Sequence, residues 1–174
     1  MKRAVCGAVA ASLLAVACAT PVKLQDVQFD LAGRIAARSG KESFSGNVSW
    51  RHARDGDEML ISTPLGQGVA RIVRQGEVVT LTTAEREYQA PDAESLTEEA
   101  LGFRLPLGGL ADWVRGRAAP DTPATEEKAP DGRLAKLEQR GWTIEYLEYA
   151  GALPSRMKLA FPGVELRLAI SQWK

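Results

Sequence analysis

The chain has 174 residues, and its 22 basic side chains balance 22 acidic ones, so its formal net charge is zero. Without a basic excess we expect no binding to nucleic acid, which needs a positively charged face. A single histidine, His52, excludes a histidine-rich metal centre, and we expect no metal and no cofactor. The length suffices for one domain with a substantial core.

The first seventeen residues have the composition of a bacterial export signal. Lys2 and Arg3 provide a positive start, and an apolar stretch over residues 4–17 follows. A stretch of about 14 residues is too short to cross a hydrocarbon core of about 30 Å as a helix. We therefore expect residues 1–17 to be a signal peptide that is removed on export.

The residues around Cys18 predict how the exported chain is held. The run Leu14-Ala15-Val16-Ala17-Cys18 resembles a lipobox, in which cleavage precedes a cysteine that then receives acyl chains. Acyl chains on Cys18 would anchor the protein to a membrane, with residues 18–28 as a tether. Ala19 is not the aspartate that retains enterobacterial lipoproteins at the inner membrane, so we expect the periplasmic face of the outer membrane. The alternative is an ordinary signal cleavage that leaves a free thiol.

Residues 29–82 show the period-two alternation of an antiparallel sheet. Small or apolar side chains alternate with polar ones in 29–38 and in 44–51, and Ser39-Gly40-Lys41 between them suits a hairpin turn. Further strands are predicted at residues 59–62, 69–74 and 78–82. This segment therefore predicts about five short strands in succession.

The pattern changes at residues 92–117, where apolar side chains recur at helical spacing on both sides of Pro106. They are Leu96, Ala100 and Leu101 before the proline, and Leu107, Leu110, Ala111 and Val114 after it. Proline interrupts a helix, so we expect two short amphipathic helices. Their apolar faces must be covered, and the concave side of the sheet is the candidate partner, which makes the helices a lid.

The rest of the chain returns to strands. Residues 118–131 contain three prolines among charged side chains, which predicts a surface loop. Strands resume at residues 142–146, 157–161 and 164–170. Strand-rich segments on both sides of a helical pair predict a mainly β fold, an antiparallel sheet curled against a helical lid, in one domain over residues 29–174.

Short motifs spread over the chain carry a family resemblance. In chain order they are Gly33-Arg34-Ile35-Ala36, residues 44–50, Pro64-Leu65-Gly66-Gln67, Tyr88-Gln89-Ala90, Leu105-Pro106-Leu107, Leu110-Ala111-Asp112-Trp113, Arg115-Gly116, Gly141-Trp142 and residues 166–173. Their order, together with the lipobox, resembles the LolB family of outer-membrane lipoproteins. The resemblance implies an unclosed antiparallel β-barrel of about eleven strands, with a helical lid over an apolar cavity.

The resemblance also implies a function and partners. A family member would accept acylated lipoproteins from a LolA-type periplasmic carrier and insert them into the inner leaflet of the outer membrane, in contact with its phospholipid. The cargo's acyl chains would occupy the cavity. We expect a monomer that is not an enzyme, because carboxylate pairs such as Glu98-Glu99 point apart on a helix and form no catalytic pair.

Two sets of site residues follow from the resemblance. The loop Pro64, Leu65, Gly66 would carry a protruding apolar residue, Leu65, that helps to pass cargo into the membrane; polar residues usually occupy such turns, and the alternative is that Leu65 folds back onto the sheet. The residues expected to line the acyl-chain cavity are Leu31, Ile35, Val48, Trp50, Met59, Ile61, Leu96, Leu101, Leu107, Leu110 and Val114.

Two questions stay open at this point. Small residues at Gly33, Ala37 and Gly46 either leave room for acyl chains or allow tight packing against bulky neighbours. Strand parity fixes which residues share a face, but not which face borders a cavity, so some of the expected lining belongs to an ordinary core. A competing function is therefore a structural or scaffolding outer-membrane lipoprotein with a filled core and a protein-binding surface.

Overall fold

The computed structural model describes residues 24–102, 104–120 and 122–174. The predicted signal peptide, Cys18 and the tether as far as residue 23 lie outside this part of the chain. The elements are β1 (Val27–Ser39), β2 (Glu42–Ala53), β3 (Gly56–Ser62), β4 (Gly68–Gln75), β5 (Val78–Thr83), β6 (Glu87–Ala90), α1 (Ala93–Leu101), α2 (Leu107–Trp113), β7 (Ala124–Lys128), β8 (Leu134–Gln139), β9 (Trp142–Ala150), β10 (Leu153–Phe161) and β11 (Val164–Trp173).

All eleven strands form one antiparallel sheet in the order β6-β5-β4-β3-β2-β1-β11-β10-β9-β8-β7. Two meanders, β1 to β6 and β7 to β11, meet where β1 pairs with β11, from Leu31 opposite Trp173 to Ser39 opposite Val164. The edge strands β6 and β7 do not pair with each other, so the sheet stays open. The mainly β, unclosed antiparallel fold with a helical lid is confirmed, including the number of strands.

The strands form because their side chains alternate between a buried and an open face. In β2, Val48 and Trp50 are buried, whereas the alternating Ser49 and Arg51 are partly exposed. The same alternation places the apolar side chains of β1, β3, β5, β9, β10 and β11 in one hydrophobic core, which also receives α1 and α2. The concave face of the sheet and the lid therefore share a single core, as the period-two pattern predicts.

The predicted surface loop over residues 118–131 is wrong in part, because residues 124–128 form the edge strand β7. All five side chains of β7 are exposed, so the segment has no buried alternation that would identify it as a strand. Its backbone pairs with β8, and Lys136 of β8 lies 3.5 Å from the carboxylate of Glu127. Alternation alone does not predict β6 and β8 either.

The two lid helices match the predicted pair, and their ends have local causes. The Asp92 carboxylate accepts hydrogen bonds from the backbone N–H groups of Glu94 and Ser95, which caps the start of α1. The helix ends at Gly102, whose φ of 74° favours glycine. Buried Thr97 then accepts a hydrogen bond of 2.8 Å from the backbone N–H of Leu105, which fixes the linker between the helices.

Two glycines in the strands have a packing role that the sequence left open. A Cβ on Gly33 would lie 2.2 Å from the carbonyl oxygen of Ala169, and one on Gly46 would lie 2.1 Å from that of Ser62. Both glycines therefore allow a close backbone approach. The interpretation that they leave room for acyl chains is wrong.

We expect Gly33→Ala to lower the free energy of unfolding by about 3 kcal/mol, because the new methyl group overpacks the junction of β1 with β11. Gly68→Ala is the matched control: a Cβ there meets no atom within 4 Å, so its effect should stay within about 0.5 kcal/mol. Denaturant titration of both variants measures the difference. Equal stability of the two variants would contradict the close-approach account.

Candidate functional site

The residues expected to line a cavity do converge beneath the lid. Six of them, Leu31, Ile35, Val48, Trp50, Met59 and Leu110, line one small apolar cavity. Ile61, Leu96, Leu107 and Val114 are buried in the same core but do not line it. The side chain of Leu101 lies outside the described part of the chain.

Four further leucines line this cavity and were not expected from the sequence: Leu105, Leu159, Leu166 and Leu168. The last three lie on β10 and β11, whose alternation predicts a buried face but not its position. Because β11 pairs with β1 and with β10, Leu168 lies opposite Ile35, and Leu166 lies opposite Leu159. A sequence signal existed for Leu105 as well, since it precedes Pro106 in the apolar run that opens α2.

The cavity is almost filled in this conformation. Its volume is about 20 Å³, which is the space of roughly one water molecule and far below that of an acyl chain. Leu110 of α2 and Leu105 of the linker occupy the space over the sheet leucines. An acyl chain can therefore bind here only if the lid moves.

Buried hydrogen bonds fix the C-terminal end of α2 to the sheet. Trp113 donates from Nε1 to the side-chain oxygen of Gln139 over 2.7 Å, and the Tyr146 hydroxyl donates to the Trp113 carbonyl over 3.0 Å. Gln139 also bonds the backbone of Ala119 in both directions. Burial raises the pKa of Tyr146 well above its ordinary value, so its hydroxyl stays a donor. Trp113 thus belongs to the core.

Helix α1 is held differently. It packs on β5 and β6, with Ala93 and Leu96 buried. Arg104 lies 3.6 Å from the carboxylates of both Glu94 and Glu98, so its ion pairs stay within α1 and its linker. The lid therefore has one end locked by buried hydrogen bonds and another that rests mainly on apolar contacts.

A polar network lies at the edge of the core, next to the lid. Asp57 accepts hydrogen bonds from Trp50 Nε1 over 2.8 Å and from Arg74 Nε over 2.6 Å, and His52 Nδ1 lies 2.6 Å from the same carboxylate. Burial alone would raise the pKa of Asp57, but the hydrogen bond from His52 and the charge of Arg74 outweigh it and lower that pKa. The carboxylate stays ionised and orients the Trp50 ring that forms part of the cavity wall.

The loop between β3 and β4 presents Leu65 to solvent. Its side chain is 98% exposed, so the alternative that Leu65 folds back onto the sheet is wrong. The loop is nonetheless ordered by hydrogen bonds: Gly66 N–H donates to the Thr63 carbonyl over 2.9 Å, Thr63 N–H to the Gln67 carbonyl over 2.8 Å, and Asn47 Nδ2 to the Thr63 carbonyl over 3.1 Å. A fixed turn therefore projects an apolar side chain.

A protein-family model described as "Outer membrane lipoprotein LolB" matches residues 27–173, which span the whole sheet and lid. The chain belongs to the LolB family. The outer-membrane lipoprotein LolB of Thiobacillus denitrificans is 42% identical over 158 residues, covering 90% of this chain and 84% of that protein. The one from Nitrosomonas europaea is 37% identical over 171 residues, covering 89% and 81%.

A solved structure shares the fold of this chain. A LolA superfamily protein from Nitrosomonas europaea superposes with a TM-score of 0.53 at 13% identity and covers 86% of both chains. The names of the LolB relatives support an outer-membrane location for this chain. Within the described ranges, no helix is long and apolar enough to cross a membrane.

We expect Asp57→Asn to lower the free energy of unfolding by about 2 kcal/mol at pH 7, because Arg74 and His52 lose their charged partner. A lowered pKa in the folded state means that this stabilisation is complete above the ordinary value of 3.8 and is lost as the pH falls through the folded-state pKa. Denaturant titrations at a series of pH values should therefore show the gap between wild type and variant closing below pH 3.8.

The control for this measurement is Asp55→Asn, which changes an exposed aspartate two positions earlier. Its effect should stay within about 0.5 kcal/mol at every pH. A gap for Asp57→Asn that persists unchanged in acid would show that the lost interaction is not the ionised pair.

Proposed function

We propose that this LolB-family chain accepts acylated lipoproteins from a LolA-type periplasmic carrier and inserts them into the inner leaflet of the outer membrane. The observation that carries the proposal is Leu65, an almost fully exposed apolar side chain held on an ordered turn. An isolated exposed leucine needs no explanation by itself, but a rigid turn that projects one is suited to enter lipid. No catalytic step is part of this function.

Cargo acyl chains would bind on the concave sheet face once α1 and the linker lift. Leu31 of β1 and the leucines of β10 and β11 would then form the floor, with Leu105 of the linker displaced from the cavity. Each buried methylene contributes about 0.8 kcal/mol, so an acyl chain can replace the contacts that the displaced lid residues make. Because α2 stays attached through Trp113, the lid can reclose after the cargo leaves.

Transfer then needs only a gradient of affinity. Acyl chains must be held more favourably in this protein than in the carrier, and still more favourably in the membrane. Burial of the Leu65 side chain in lipid would contribute about 1.5 to 3 kcal/mol to membrane binding. This binding would hold the sheet at the membrane surface for delivery.

We also propose that residues 1–17 are removed, that Cys18 is acylated, and that the domain faces the periplasm as a monomer. The chain from Cys18 to Val27, where β1 begins, spans at most about 30 Å when extended. A tether of this length keeps the domain beside the membrane, so the distance between Leu65 and the membrane surface stays short.

A second function is favoured by one observation. The cavity of about 20 Å³ is what a filled core shows, as expected for a structural or scaffolding outer-membrane lipoprotein. Binding of cargo beneath the lid decides between the two functions.

We expect a photoreactive amino acid at Leu110 to cross-link to the acylated end of lipoprotein cargo during transfer from the carrier. The matched control places the same group at Leu60, a leucine on the opposite face of β3 that is 44% exposed. Mass spectrometry of the cross-linked product identifies the contact. Absence of cargo adducts at Leu110, in a variant that accumulates normally and also at Leu159, would support the scaffolding function instead.

We expect Leu65→Glu to retain cargo cross-linking at position 110 but to lose most insertion into outer-membrane vesicles, because a charged side chain resists entry into lipid. Val78→Glu is the control, since Val78 is 53% exposed and lies on β5, at the opposite end of β4 from the Leu65 loop. Sedimentation of vesicles with the delivered cargo measures insertion. Normal delivery by Leu65→Glu would contradict the role of the loop.

A further inference from the structure

The convex face of the sheet carries a second concavity, which we term the outer groove. It has a volume of about 580 Å³, and its thirteen lining residues include Pro64 and Leu147. Four of the thirteen are cationic, namely Arg34, Arg156, Lys158 and Arg167, and none is acidic. Nothing in the proposed acceptance of cargo beneath the lid uses this side of the sheet.

The strand register explains why the cations lie together. Arg34 of β1 and Arg156 of β10 both pair with Ala169 of β11, one from each side. In the adjacent row, Arg167 of β11 lies directly opposite Lys158 of β10. The small side chain between Arg34 and Arg156 leaves a depression that the longer cationic side chains surround.

Nearby acids offset this charge only in part. Glu148 lies 2.6 Å from Arg156, and Glu165 lies 2.9 Å from Arg167 and 3.7 Å from Lys158. Glu145 lies 3.6 Å from Lys158 as well. Arg34 is exposed and has no acidic partner within 4 Å among the described residues. Three acids therefore compensate Arg156, Lys158 and Arg167, and the charge that an anion in the outer groove would neutralise is that of Arg34.

The outer groove is continuous with the Leu65 loop. Pro64, the neighbour of Leu65, forms part of its wall. Asn47, which pairs with Arg34 across the strands, holds the loop through its hydrogen bond to the Thr63 carbonyl. Membrane-binding surfaces often combine an apolar side chain that enters the lipid acyl chains with cations that contact the headgroup phosphates. Leu65 and the cations beside its loop have this arrangement.

We propose that the outer groove binds the phosphate of an anionic phospholipid in the membrane that Leu65 enters, and that it thereby makes docking depend on anionic lipid. The inference rests on the proposed membrane contact of the loop and adds the class of lipid that it requires. The formal net charge of the chain is zero, so the attraction is due to this local cluster rather than to a general positive charge.

The test uses the protein purified with the N-terminus that it carries in the cell and reconstituted into vesicles. A fluorescent amino acid sensitive to polarity replaces Leu65 and reports the ratio of docked to undocked loop. We expect a larger blue shift in phosphatidylethanolamine vesicles that contain phosphatidylglycerol than in vesicles without it. Added salt should reduce that difference, because it screens exposed charges.

Variants on this background test the groove itself. Arg34→Gln should lower the docked-to-undocked ratio about fivefold in the anionic vesicles, because one basic residue near an anionic surface has an effect of this size. Adding Arg156→Gln should lower the ratio further. Glu148→Gln should act in the opposite direction, because it removes the acid that offsets Arg156. Arg54→Gln is the matched control: Arg54 is exposed and follows β2 at the end remote from the Leu65 loop, so the ratio should not change.

A blue shift that is equal in both kinds of vesicle, or that falls as far with Arg54→Gln as with Arg34→Gln, would overturn the inference and leave the proposed function intact. No blue shift in any vesicle would overturn both the inference and the membrane contact of Leu65. Cargo cross-linking at position 110 should stay unchanged in Arg34→Gln, which separates lipid recognition from acceptance of cargo.

Discussion

The pairing of β1 with β11 is the constraint on which the rest of the structure depends. It joins two meanders that are distant in sequence, and it tolerates almost no added volume where Gly33 meets the carbonyl of Ala169. This junction places Leu168 and Leu166 of β11 opposite Ile35 and Ala37 of β1 and so creates a continuous concave surface. It also aligns Arg34 with Ala169 and Arg156 on the convex side. One strand register therefore determines which side chains lie together on both faces of the sheet.

The lid is formed by the chain between the two unpaired edge strands. Strands β6 and β7 do not pair, and the chain that links them forms α1 and α2 over the concave face. Buried hydrogen bonds of Trp113 with Gln139 and Tyr146 hold the end of α2, whereas α1 rests on apolar contacts that an acyl chain can replace. Hydrogen bonds lost in a dry interior cost more than exchanged apolar contacts, so opening is easier at α1.

The two faces of the sheet suit two different environments. The concave face is apolar and filled, with Asp57 fixing the Trp50 ring at its edge. The convex face carries the cations of the outer groove beside an apolar side chain on an ordered turn. In the proposed function, acyl chains occupy the first face while the second meets lipid, so one thin sheet separates cargo from membrane until delivery.

The sequence by itself determined the strands with one buried face, the two helices about Pro106 and the identity of most inward residues, because period-two and helical spacing are local properties. It could not identify β7, whose five side chains are all exposed, and it did not assign Leu159, Leu166 and Leu168 to the cavity wall. Tertiary structure decided that Gly33 and Gly46 serve close packing, that Leu65 projects, and that four cations distant in sequence meet in one groove. Those outcomes depend on register between strands far apart in the chain, which no local pattern encodes.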